Sequence, residues 1–173
     1  MSLQHLILPL VDPRGRCNRK GLLIAAAIML AVEVVVGLGL LASKRTLDDP
    51  LVVAIKAALI YLAFSAAIQR LHDLGRSAWN IAWASLAMIA WSVALAFAVV
   101  LQMPPEAMEP GHAGFAMVFG GIALPMLGML LWLHFAPGEP EPNKYGAVPS
   151  GLGFARFARS EHEAVAPQVT SAA

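Results

Sequence analysis

Four long apolar runs constrain this chain more than any other feature. They cover roughly 21–41, 51–69, 79–101 and 114–135. A helix needs about 20 mostly apolar residues to cross a bilayer core of about 30 Å. Each run meets that length, so the expected fold is all-α: a four-helix transmembrane bundle. Composition agrees, because 58% of the residues are hydrophobic and only 13% are charged. A soluble domain is about a quarter charged. The first run follows basic residues, as a signal peptide does, but it is too long for a signal core and contains Glu33. No small-x-small cleavage pattern follows it, so it is read as a true span.

The short flanks give the expected orientation, because Lys and Arg concentrate on the cytoplasmic side. Arg14, Arg16, Arg19 and Lys20 precede span one, Arg70 and Arg76 follow span two, and Lys144, Arg156 and Arg159 follow span four. The opposite side holds only Lys44 and Arg45. Nine cations against two place both termini and the 70–76 turn in the cytoplasm. Trp79, Trp83 and Trp132 fall at aromatic-belt depths, while Trp91 is mid-span and is expected to pack between helices. Pro125, flanked by Gly120, Gly121 and Gly128, predicts a kink with close helix contact in span four. The loop from Met103 to Gly111 is rich in breakers and is expected to be irregular.

The chain is expected to divide into a membrane domain, 1–150, and a flexible cytoplasmic tail, 151–173. Leu3–Val11 is apolar but too short to span, and is expected to lie in the interface. In the tail, Phe154, Arg156, Phe157 and Arg159 are candidates for contact with the membrane surface.

Glu33 and Lys56 interrupt the apolar pattern. A charge near the bilayer centre costs roughly 2.5–3.5 kcal/mol on the insertion scale. The first span offers 12 Leu, Ile and Val residues, worth very roughly 5 kcal/mol together. The second offers 9 such residues, counting Phe64, worth roughly 4 kcal/mol. Its margin over Lys56 is therefore small, and a partner would help. In an antiparallel hairpin Glu33 lies about 12 Å and Lys56 about 8 Å from the outer ends. An interhelical pair is expected. The rival arrangement is a protonated Glu33 with Lys56 snorkelling outward.

The densest polar stretch is Arg70-Leu71-His72-Asp73-Leu74-Gly75-Arg76-Ser77. Gly75 is placed to cap the C-terminus of helix two, and Ser77 to cap the start of helix three. Arg70 and Asp73 share a helix face at a spacing of three. The arginines can hold the turn at anionic headgroups. A metal site is not expected: His5, His72, His112, His134 and His162 are scattered, and no HExxH or CxxC spacing occurs. Cys17 is the single cysteine, so it forms no intrachain disulfide and is read as a free structural thiol.

Arg70 to Trp79 resembles the signature of the domain of unknown function 805 family of bacterial inner-membrane proteins. Gly15-Arg16-Cys17-Asn18-Arg19-Lys20 is similar to the family's basic segment before span one. Pro137-Gly138 with Asn143-Lys144-Tyr145-Gly146 and Pro149 is similar to its C-terminal signature. The sequence departs from the family at Trp79-Asn80, where an aromatic pair is common, and at Gly21-Leu22, where an aromatic residue follows the basic segment. The resemblance covers about residues 1–150. It implies a small multi-span protein of the bacterial inner membrane, with no activity attached.

All three matching pieces fall on the expected cytoplasmic side. They are expected to converge in one polar layer of Arg16, Arg19, Arg70, His72, Asp73, Arg76, Asn143, Lys144 and Tyr145. That layer can be a network that locks the termini to the turn, or a site for lipid headgroups or a small anion. An enzyme would use His72 as acid or base, Asp73 to orient it, and the arginines on a phosphate. Adjacent helical residues point about 100° apart, which places His72 and Asp73 poorly for a direct bond. A transporter would use Glu33, Lys56 and the Pro125 kink, and four helices would need to oligomerise. No complete catalytic set is present, so the sequence favours a non-catalytic membrane component without cofactor. Its expected partners are membrane lipids and a second protein or copy. A net charge of +1 argues against nucleic acid.

Overall fold

The structure, a computed structural model, describes residues 10–43 and 46–155. Four long helices dominate it: α1 Arg19–Ser43, α2 Pro50–Asp73, α3 Trp79–Gln102 and α4 Ala113–Phe135. All four are long and apolar enough to cross a membrane. They coincide with the four apolar runs and extend α2 to Asp73. Two short strands, β1 (Arg16–Cys17) and β2 (Phe154–Ala155), pair antiparallel, Cys17 opposite Phe154. This pairing carries the packed chain past the boundary expected at 150, to Ala155. Most of the Leu3–Val11 segment, and Arg156, Phe157 and Arg159, lie outside the described residues.

Local chemistry sets the helix ends. The Asn18 side chain accepts the Gly21 N–H at 3.1 Å and caps α1. The Asp49 side chain accepts the Leu51 N–H at 2.9 Å, and Pro50 occupies the first turn, where no N–H is needed. At the far end of α2, Gly75 takes a φ of 72°. Its N–H reaches the His72 carbonyl at 3.1 Å, and the Arg76 N–H reaches the Leu71 carbonyl at 2.8 Å. These two bonds form a Schellman cap, which needs a left-handed residue at this point. The Ser77 hydroxyl accepts the Trp79 N–H at 3.3 Å as α3 begins. The opposite loop is more ordered than its breakers suggest: Pro105–Met108 forms one 3-10 turn.

The expected positions of Trp91 and Pro125 resolve into one interaction. Proline has no N–H, so Pro125 leaves the Gly121 carbonyl, four residues earlier, without a helical donor. Trp91 of α3 donates its indole N–H to that carbonyl at 2.8 Å. A neighbouring helix thus satisfies the polar group that hydrocarbon cannot.

Packing is uneven along the bundle. α1 pairs chiefly with α2, and α3 chiefly with α4. The buried core of Leu10, Cys17, Leu22, Ala25, Ala66, Leu71 and Leu133 gathers at the end that carries the 70–76 turn. This motif end is where β1, β2 and the segment after α4 also converge. Toward the opposite end the helices expose large side chains, among them Leu38, Leu41, Phe97 and Leu101. Such surfaces suit hydrocarbon rather than water.

Candidate functional site

Arg16, Arg70 and Asp73 form the centre of the motif end. Arg16 and Arg70 have no exposed surface, and Asp73 is 2% exposed. A buried ion costs several kcal/mol unless its partner and its remaining donors are all satisfied. Here they are. Arg16 reaches one Asp73 oxygen through Nε at 3.3 Å and Nη2 at 3.0 Å. Arg70 holds the other oxygen through Nη1. The remaining guanidinium nitrogens bond backbone carbonyls. Arg16 donates to Glu139 and Glu141, each at 2.8 Å, and to Gly146 at 3.3 Å. Arg70 donates to Leu133 at 2.8 Å and to Ala136.

Two elements supply these side chains, and a third segment supplies the carbonyls. Asp73 and Arg70 sit on the last turn of α2, where a spacing of three puts them on one face. Arg16 comes from β1, which is fixed by β2 and by the Asn18 N–H bond to the Gly153 carbonyl at 2.9 Å. The acceptor carbonyls come from the end of α4 and the extended chain after it. That chain passes close enough for the Glu139 N–H to bond the Asp73 carbonyl at 2.8 Å. Gly138 makes the approach possible, because a methyl group there would overlap the Asp73 carboxylate.

His72 lies in a second, adjoining cluster. Its Nδ1 contacts the Gly15 carbonyl at 3.1 Å. Its ring stacks on Tyr145 with centroids 3.8 Å apart and planes 5° from parallel. Asn143 donates to the His72 carbonyl at 2.9 Å and to the Glu139 carboxylate at 2.6 Å. His72 and Asp73 therefore face different partners, as adjacent helical residues should. Cys17 is fully buried beside this layer. Burial pushes its thiol up to about 12 from an ordinary 9.0; Arg70 opposes the shift and Asp73 adds to it.

The structure brings together Arg16, Arg70, His72, Asp73, Asn143 and Tyr145. Arg19 and Lys144 sit at the edge: Arg19 donates to the Ala136 carbonyl at 3.2 Å, and Lys144 stands 5.1 Å from the Tyr145 ring centre. Arg76 does not join the layer. Beyond the Schellman cap its side chain turns to α4 and lies 5.5 Å from the centre of the Trp132 ring. Glu33 and Lys56 meet as an ion pair between α1 and α2, with side chains 39% and 40% exposed.

A recess of about 390 Å³ opens beside the centre, lined by Arg19, Lys20, Arg70, Asp73 and Glu139 among others. Its cations are engaged: Lys20 donates to the Gly151 carbonyl at 2.9 Å, and Arg19 and Arg70 also hold carbonyls. Two carboxylates share its wall, so it is a poor anion trap. Among the described residues, no three His, Cys, Asp or Glu side chains gather as a metal site.

Sequence reasoning missed the role of the backbone. The Leu133, Ala136, Glu139, Glu141 and Gly146 carbonyls carry no side-chain signature. Gln69 was also missed. It is buried, and its side chain donates to the Asp12 carbonyl at 2.8 Å, tying the N-terminal segment to α2. A polar residue one helical turn after Ser65 in an apolar span was the available signal.

A family model described as a protein of unknown function (DUF805) matches residues 10–147. No curated protein and no solved structure matches the chain.

Proposed function

Since this chain belongs to the DUF805 family, whose function is unknown, we propose from its own geometry that it is a non-catalytic structural component of the bacterial inner membrane. One observation carries the reading. Among the described residues, no buried side-chain nitrogen or oxygen lacks a hydrogen-bond partner. A site that processes or transports a ligand keeps some polar group free for it. This layer spends all of its buried polar groups on internal bonds.

The role that fits is a lock. The N-terminal strand, the segment after α4 and the 70–76 turn are fastened at one buried Asp73. The lock lies in the cytoplasm, with both termini, as the nine-to-two excess of Lys and Arg supports. It gives the four spans a rigid cytoplasmic cap on which a partner protein or a second copy can assemble.

Substituting His72→Gln tests this against the enzyme reading. Gln keeps polarity but removes the acid–base group. In a strain lacking the protein, His72→Gln should restore whatever phenotype wild type restores, with Cys17 still shielded from maleimide. Loss of complementation with Cys17 still shielded would sink the structural reading.

A further inference from the structure

We propose that the cleft between α2, α3 and α4 is a binding site for one anionic glycerophospholipid, with Arg76 as its headgroup anchor and an acyl chain in the apolar floor. The proposal does not rest on the structural reading of the Arg16–Asp73–Arg70 centre.

The cleft follows from the way the helices pair. Because α1 packs on α2 and α3 on α4, the α2 and α3 faces diverge below the tight 70–76 turn. Two cavities occupy the gap. The upper, about 270 Å³, is lined by Arg76, Asn80 and Trp132 at its mouth. The lower, about 370 Å³, has Phe64, Met88 and Met126 in its walls. Ile81, Ala84 and Met129 line both, so the two form one continuous groove.

The groove's chemistry changes along its length. No Asp, Glu or Lys lines either part, and Arg76 is the single charge. Arg76 is exposed and forms no ion pair among the described residues; it rests on the Trp132 ring. That contact orients a cation without neutralising it, which leaves its donors available to a phosphate. Asn80 beside it is exposed and adds amide donors. Below them the lining is almost wholly apolar, and the two methionines supply adaptable side chains that suit a flexible chain.

Its depth also fits. From Asn80 to Ile89 the groove rises by nine steps of α3, about 14 Å at 1.5 Å per step. That is close to half of a hydrocarbon core of about 30 Å, or one leaflet. The occupant should therefore be a lipid of the leaflet at the motif end. Charge selects an anionic headgroup over a zwitterionic one, whose own cation Arg76 repels.

The test uses the full chain in nanodiscs of phosphatidylcholine with one fifth phosphatidylglycerol, the lipids retained after detergent extraction being weighed by native mass spectrometry. Wild type should retain phosphatidylglycerol at roughly three-fold its share in the disc or more. Arg76→Gln should bring retention down to that share, and Ala84→Phe, which fills the shared floor, should abolish retention of both lipids. Shielding of Cys17 from maleimide certifies that each variant is folded. In case Ala84→Phe does not fold, a phosphatidylglycerol with a photoreactive acyl chain provides a second readout. It should label peptides holding Met88 or Met126 in wild type. No enrichment in wild type, undiminished enrichment in Arg76→Gln, labelling spread evenly over the helices, or a cross-link to a second copy in place of lipid would each overturn the proposal. Competition by inorganic phosphate without any acyl labelling would also overturn it, since the site would then be one for a free anion.

Discussion

Two ionic clusters among the described residues are built on different principles. At the motif end, Asp73 is shared by two fully buried arginines whose other donors are taken by carbonyls from two further segments. Inside the bundle, Glu33 and Lys56 have each other, and both keep roughly two-fifths of their side-chain surface. The first cluster joins parts of the chain more than 50 residues apart. The second joins neighbouring helices that their short connection already holds together. The lesson is that the ionic bond matters less than what else it satisfies. A saturated buried cluster fixes a fold, because removing one member strands all the others.

The largest expected effect is on Asp73. Asp73→Asn removes the shared anion and leaves two buried guanidinium groups without a counter-charge. Breaking a buried ionic cluster in this way costs about 3–5 kcal/mol. Thermal unfolding in detergent should show the loss, and Cys17 should become open to maleimide without denaturant. An unaltered midpoint with Cys17 still shielded would erase the contrast between the clusters.

The Glu33–Lys56 pair should be worth less. A double-mutant cycle with Glu33→Gln and Lys56→Met should give a coupling of about 0.5–2 kcal/mol, the range found for polar pairs within membranes. The swapped chain, with Glu33→Lys and Lys56→Glu, should recover much of the stability that either single reversal loses. A coupling as large as the Asp73 effect would mean that the pair, too, is a structural centre.

The smallest effect sharpens the comparison by pH. Burial raises the Cys17 thiol to about 12, against 9.0 for an ordinary thiol. The folded chain therefore keeps its proton where the unfolded chain releases it. That contribution is fully present below about pH 9 and is lost as pH rises from 9 toward 12. The unfolding midpoint of wild type should fall faster across this window than that of Cys17→Ala. Parallel slopes would show that Cys17 ionises without hindrance.

Most of the membrane architecture was legible in the sequence for a simple reason. Each span is a local property: about 20 apolar residues must be helical whatever lies next to them. The Gly75 cap was equally readable, since it depends on residues within one turn, whereas the helix after it starts from Ala78 rather than from a Ser77 cap. The Arg70–Asp73 spacing announced one ion pair. It did not announce Arg16 as the second partner, 57 residues earlier in the chain. Nearness to Arg70 in sequence suggests Arg76 for the layer, yet the reversal of the chain at Gly75 sends it to the opposite side, onto Trp132.

By itself, then, the sequence determined four runs long and apolar enough to span, the Gly75 cap, and the presence of charges that must be matched. These follow from hydrocarbon length and one-turn geometry, both of which act over a few residues. Only the tertiary structure decided which charge meets which, that backbone carbonyls complete the Arg16–Asp73–Arg70 centre, and that a groove opens between α2, α3 and α4. Carbonyls are present at every residue and carry no identity, so their selection appears only once distant segments are packed together.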